Sequence, residues 1–336
     1  MPIKCSYRRS SKIAALLLLQ SILACGPNRT GPLAYVSNER DGTITVINTV
    51  TDSVVETINV GARPRGIHLS PDKRLVYVAL SYPSNRREGE DKIAAIDTSS
   101  SKVLAKYDAG TDPEQFVVSL DGTRFYIANE DAGTASVTDL GSNRVIATQV
   151  VGLEPEGVAL SPDGRWVYVT SESSSTVSVI DTQTNLVVKT FLVGARPREA
   201  AFSPDGARAY VTAENGGTVS VVDTRDHSVV ETIELPRGGA AQMKPKGVVV
   251  SPDGQRVYVA TGRGNSVAVI EAASHKLLDM IAVGQRPWGI ALTPDGKKLY
   301  TANGLSNDVS VIDTATNRLI KTIKAGDGPW AIAIKP

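Results

Sequence analysis

Charged side chains recur beside prolines in this chain. The pairs flanking seven prolines are Arg63/Arg65, Asp112/Glu114, Glu154/Glu156, Arg196/Arg198, Lys244/Lys246, Arg286/Trp288 and Gly328/Trp330. Two neighbouring pairs are acidic and the others are basic or aromatic. Such a set can bind an anion on its Arg side, a cation on its Glu side, or a zwitterion across both. Alternatively the charges pair with one another and seal a surface, as ion pairs at a rim commonly do with little energetic return. Trp288 and Trp330 occupy the same position in successive units, which suits a flat ligand, a partner side chain or packing of a joint. Gln115 and Glu199 stand where four other units have Gly, so a polar group there is expected to reach water or a ligand.

A second set, Glu39, Glu130, Glu172 and Glu214, follows a strand-like segment in its own units. These carboxylates offer hard oxygen ligands to a divalent cation, but no metal-binding spacing occurs on one element. No organic cofactor is expected, and a divalent metal is the one candidate. Of the three histidines, His68 reads as a core or channel residue, whereas His227 and His275 fall in turns away from the charged pairs. The chain has no Cys-x-x-Cys-His run, which excludes covalently attached c-type haem. Neither a Gly-rich phosphate loop nor a Ser-His-Asp ordering stands out.

The elements that position these residues follow from internal repetition. A Ser/Thr-Pro-Asp-Gly anchor recurs at Ser70, Ser119, Ser161, Ser203, Ser251 and Thr293, with Lys73 and Leu120 as departures. The spacings are 49, 42, 42, 48 and 42 residues, so a unit is 42 residues and two units carry insertions. The insertions fall within 81–91 and 235–243. In the unit 154–194, Gly157–Leu160 is a short apolar run and Ser161–Gly164 a turn, with Pro presetting φ and Gly accepting a positive one. Val167–Thr170 is a second strand. Thr176–Asp181 alternates polar and apolar residues as a half-buried strand does, and Leu186–Leu192 is a fourth strand. Four antiparallel strands per unit describe a propeller blade.

The described pattern enters at Leu33–Ser37, a second-strand sequence, and stops at Gly328–Ile334, a first-strand sequence. The C-terminal strand is therefore expected to join the N-terminal three and close a seven-bladed, all-β ring, hiding two sheet edges. Within it, the second-to-third loops and the blade-to-blade connections share one face with both insertions. That face is expected to be the functional one.

The N-terminal segment differs. Lys4, Arg8, Arg9 and Lys12 precede an apolar run from Ile13 to Ala24, the layout of a secretory signal peptide. It ends Ile22-Leu23-Ala24-Cys25, which resembles a bacterial lipobox with Leu23 as a less usual member. Removal of 1–24 leaves 32 Lys+Arg against 35 Asp+Glu, a net of −3, and one Cys, which cannot form an internal disulfide. The expected organisation is a signal at 1–24, lipid attachment on Cys25, a tether at 25–32 and the propeller at 33–336. Gly26 lacks the Asp that favours inner-membrane retention, so an outer-membrane lipoprotein facing the periplasm is expected.

The second strands Tyr77-Val-Ala, Tyr126-Ile-Ala-Asn129, Tyr168-Val-Thr, Tyr210-Val-Thr and Tyr258-Val-Ala resemble the YVTN repeat. Stretches such as Asp112-Pro-Glu, Glu154-Pro-Glu-Gly157, Gln285-Arg-Pro-Trp288 and Asn303–Asp313 are similar to the YVTN propellers associated with PQQ-dependent alcohol catabolism. The resemblance covers residues 33–336 and implies an exported propeller without settled chemistry. Three functions follow as expectations. One is a monomeric binding or scaffold module for a periplasmic protein or a small polar ligand, serving quinoprotein oxidation. Another is a metal-assisted lactonase or lyase using Glu39, Glu130, Glu172 and Glu214. The third, single-stranded nucleic acid on the basic sector, is disfavoured by the net charge of −3.

Overall fold

Every described second strand centres on a tyrosine in an apolar run, and each of these seven rings is fully or almost fully buried: Tyr35, Tyr77, Tyr126, Tyr168, Tyr210, Tyr258 and Tyr300. The computed structural model describes, beyond the initial Met, residues 31–82, 91–236 and 243–336. Among them the strands form seven four-stranded antiparallel sheets, each from chain-adjacent strands except one. The exception joins Pro329–Lys335 to Leu33–Asn38, with Leu33 opposite Lys335 and Val36 opposite Ile332. The architecture is a seven-bladed propeller closed by its C-terminal strand, as the repeat pattern predicts. In the clean unit the strands are Pro155–Leu160, Trp166–Ser171, Thr176–Asp181 and Leu186–Leu192.

The core lies between blades. Second and third strands are buried almost throughout, whereas fourth strands are largely exposed on the rim. Each tyrosine ring packs against its neighbours, and several place their hydroxyl on the next blade's third-to-fourth turn. Tyr126 Oη reaches Asn185 Oδ1 at 3.1 Å, Tyr168 Oη meets His227 Nδ1 at 2.7 Å and Tyr300 Oη meets Asp52 Oδ1 at 2.5 Å. Asn185, His227 and Asp52 all take a left-handed φ in that turn. His227 is thus a buried inter-blade fastener opposite the charged face, not a free turn residue, and Trp166 packs edge-on against it at 4.9 Å.

First strands line the central channel. Their pairing shifts register just after the proline, between Pro64/Ile67, Pro113/Phe116, Pro155/Val158 and Pro197/Ala200. A bulge re-aims the side chains it carries. Here the irregularity contains Arg65, Glu114, Glu156 and Arg198. Both insertions lie mostly in 83–90 and 237–242, and they, the signal segment and Cys25 fall outside the described residues.

Candidate functional site

The backbone itself assembles the channel mouth. In four blades the residue just after the second strand donates its N–H to the carbonyl of the residue before the proline: Glu39 to Gly328, Glu130 to Asp112, Glu172 to Glu154 and Glu214 to Arg196. Asp112, Glu154, Arg196 and Arg286 all hold a left-handed φ there, where Gly328 sits in the closing blade. Four charged residues thus occupy a conformation that favours glycine, strain of the kind retained at working sites. The hydroxyls ending the Tyr-Val-Thr runs then pin the next blade. Thr170 Oγ1 donates to Arg198 O at 3.0 Å, Thr212 Oγ1 to Lys246 O at 2.5 Å and Ser37 Oγ to Arg65 O at 2.7 Å. These positioning residues were not singled out from sequence; the recurring Thr of the second strand is the signal that marks them.

Two ion-pair clusters form. In the first, Arg65 contacts Glu114, reaches Glu39 at 3.2 Å and lies 3.5 Å from both Asp112 and Glu130. Arg63 adds a 2.7 Å pair to Glu39. In the second, Arg198 meets Glu156 at 2.6 Å, contacts Glu172 and lies 3.4 Å from Glu214. Arg196 bridges Glu172 and Glu214 at 2.6 and 3.2 Å, and Lys246 pairs with Glu156 at 2.9 Å. Arg286 stands at 3.7 Å from Glu214. The mouth therefore neutralises itself, which is the sealing alternative raised by the sequence.

Burial would raise these carboxyls, and the nearby guanidinium or ammonium groups decide the outcome. Glu39 is held low because Arg65 and Arg63 outweigh its desolvation. Glu156 is likewise depressed, its burial overcome by Arg198 and Lys246. Glu172 goes up, through burial and the hydrogen bond it shares with Glu156. Glu130 is pushed up to about 7 by burial, with Arg65 opposing and Asp112 assisting. Lys246 is lowered by burial and by its like-charged neighbour Arg198.

The tryptophans present no open platform. Lys246 Nζ sits 4.3 Å from the Trp330 ring centre and 5.3 Å from that of Trp288, and Arg286 lies over Trp288 at 5.6 Å. Trp330 is buried in the closing joint. Cation–π contact with Lys246 accounts for their pairing at the mouth, and both rings also line the cavity below it.

The metal set read from sequence needs correction. No three of Glu39, Glu130, Glu172 and Glu214 converge closely enough for one ion. Among the described residues, the carboxylates that converge are Asp112, Glu114 and Glu130, with ligand atoms within 4.8 Å of one another. Arg65 Nη1 touches or closely approaches all three. A guanidinium already stands where a cation would, so these residues do not fit a resident metal.

Below the mouth the channel widens into a cavity of about 490 Å³. Its polar wall is His68, Gln115 and Glu199, with Glu156, Arg198 and Lys246 above; Trp288, Trp330, Val249, Ile290 and Ile332 form the facing wall. His68 Nε2 lies 3.2 Å from Gln115 Oε1. Burial lowers the imidazole to about 4, so it is neutral at pH 7. Glu199 is raised to about 8 by burial, with Lys246 opposing, and accepts from the Val248 N–H. Gly157, Gly247 and Gly289 leave no Cβ in this layer, and one would meet the next strand's backbone at 2.2–2.5 Å.

A model of the choice-of-anchor I domain matches residues 28–237, more than half of the chain. The chain belongs to the choice-of-anchor I domain family. A second model, a lactonase described as a seven-bladed β-propeller, matches residues 187–335 of this choice-of-anchor I protein. No curated protein matches it. Solved structures similar to it include hydrazine synthase from Kuenenia stuttgartiensis, 21% identical over 92% of this chain and 99% of that one, with a TM-score of 0.75. A candidate 6-phosphogluconolactonase from Bacteroides fragilis is 20% identical over 92% and 99%, with a TM-score of 0.74. A Lactobacillus plantarum protein is 19% identical over 91% and 99%, with a TM-score of 0.77. At such identities the likeness establishes the fold and nothing about chemistry.

Proposed function

We propose that this choice-of-anchor I propeller is a non-catalytic binding module that takes a small polar ligand in its channel. The carrying observation is the division of labour at the mouth. Arg65, Arg198 and Lys246 are each committed to carboxylates, while the cavity beneath keeps hydrogen-bonding groups against an apolar wall. A concave, mostly apolar site with a few placed polar groups is the usual form of a small-molecule pocket. Export, a lipid on Cys25, an outer-membrane position facing the periplasm and service to PQQ-dependent oxidation belong to the same reading. They rest on the lipobox-like Ile22–Cys25 and the YVTN-like motifs. Mass spectrometry of the native N-terminus should find a lipid-modified Cys25; an unmodified Cys25 or a start elsewhere overturns the anchor.

Lactone hydrolysis is the second reading, favoured by the lactonase match over 187–335, a segment that holds Arg198, Glu199, Lys246 and both channel tryptophans. Glu199, raised to about 8, could act there as a general acid. Acid release from five- and six-membered lactones, followed by pH-stat with and without Ca²⁺ or Mg²⁺, separates the two. Turnover that disappears in Glu199→Gln would establish the enzyme; rates at the uncatalysed background support the binding module.

A further inference from the structure

We infer that the channel cavity takes an uncharged polyhydroxylated ring, a monosaccharide-sized molecule, and discriminates against its phosphorylated or otherwise anionic forms. The inference rests on the binding reading above and specifies its ligand class.

The cavity has two unlike walls. On one side His68, Gln115 and Glu199 offer an imidazole, an amide and a carboxyl group. On the other, Trp288, Trp330, Val249, Ile290 and Ile332 offer ring edges and aliphatic surface. A sugar ring has the matching shape, with hydroxyls around its edge and C–H groups on its faces. The polar wall carries no charge at neutral pH, since the imidazole is neutral and Glu199 keeps its proton up to about 8. Neutral donors and acceptors suit hydroxyls, and none of them compensates an anion.

The cations nearby are spent. Lys246 is held between Glu156, at 2.9 Å, and the two indoles. Arg198 is enclosed by Glu156, Glu172 and Glu214. A phosphate entering the cavity would have to displace a buried carboxylate from one of them, leaving that carboxylate unpaired in a poorly solvated site. Gly157, Gly247 and Gly289 let the inner strands approach closely, because any side chain at these positions would meet the adjoining strand.

The experiment is calorimetric titration of the intact protein with D-glucose, myo-inositol and D-glucono-1,5-lactone, each neutral, and with glucose 6-phosphate and gluconate. At least one neutral ring should bind, and at least tenfold more tightly than its anionic counterpart. Lys297→Ala, an exposed position outside the cavity, should keep binding within about threefold at pH 7, whereas Gln115→Leu should weaken it about tenfold, the scale of one hydrogen bond lost. Raising the pH from 7 to 9 should weaken binding in the wild type and leave Glu199→Gln unaffected. Preferential binding of glucose 6-phosphate or gluconate overturns the ligand class while preserving the binding module. Absence of heat from every compound overturns both.

Discussion

Arg198 is the residue on which the mouth turns, and its surroundings change what a mutation there would report. Its guanidinium faces three carboxylates and its side chain is 11% exposed. Truncation to Ala would leave Glu156, Glu172 and Glu214 sharing Arg196, Lys246 and Arg286. Breaking a buried pair from one side costs about 3–5 kcal/mol, far more than a rim pair. We therefore expect Arg198→Ala to lower unfolding stability by about 3 kcal/mol in urea titration, against no measurable change for Lys297→Ala, whose side chain is 81% exposed on the opposite face. Equal stabilities for the two variants would reduce the cluster to surface decoration. A change at His227, also on that face, would not be silent, because it fastens Tyr168. Glu199 makes a second prediction. Its folded value, about 8, lies above its ordinary 4.5. The folded state then holds the proton more tightly than the unfolded state, so stability falls as pH rises from about 4.5 to about 8 and levels off beyond. Across that window the wild type should lose on the order of 5 kcal/mol relative to Glu199→Gln. Parallel stability curves for the two would contradict a buried, protonated Glu199.

Elements decide why these residues meet. Repeat spacing and the Ser-Pro-Asp-Gly turns made the blades and even their strand limits legible, because period-2 alternation and turn chemistry are local properties. Gln115 and Glu199 were legible as channel groups for the same reason, since they break a column of glycines. What stayed illegible depends on register and on neighbours in space. The shift after each proline aims Arg65 and Arg198 at carboxylates of other blades, and no spacing within one blade encodes it. The same holds for Lys246 between two indoles, which turns an expected aromatic platform into a cation–π stack. It holds also for Arg65, which fills the place assigned to a metal. The glycine column yields a prediction at this scale. A Cβ on Gly157 would stand 2.2 Å from Arg198 O and 2.9 Å from the Glu199 Cα. Both atoms are backbone of the neighbouring inner strand and cannot step aside as a side chain could. Gly157→Ala should cost about 1–3 kcal/mol, whereas Gly206→Ala, in an opposite-face turn, should act only through its φ of +71°. Differential scanning of both variants checks this; a Gly157→Ala protein as stable as wild type would mean that the inner strands are looser than the structure has them.

At the scale of the molecule, the ring is a cooperative unit whose joint is not covalent. The strand Pro329–Lys335 pairs with Leu33–Asn38 and packs between the inner strands Pro287–Leu292 and Arg63–Leu69 of the flanking blades. It carries Trp330, Ala331 and Ala333 into the core that joins the first and second blades. Its loss would expose the edge of Leu33–Asn38 and the apolar flanks of two further blades at once. An uncovered, apolar strand edge is a template for pairing with other chains. It would also remove Trp330 from over Lys246, opening the mouth at the point where the second ion cluster ends. Deleting residues 328–336 should therefore produce a protein that elutes as aggregate and has lost most of its cooperative melt. Dropping a buried Trp alone costs about 3–5 kcal/mol, a large fraction of the net stability of a typical domain. A circular permutant provides the matched comparison. Joining Pro336 to Gly31 through a short Gly-Ser linker and reopening the chain between the exposed Ala315 and Thr316 keeps all seven inner strands. It should elute as the full chain does and melt cooperatively near the same temperature. If the truncated chain instead runs as a monomer and melts like the intact protein, the shared blade contributes nothing to stability and the ring is held by its six unbroken blades.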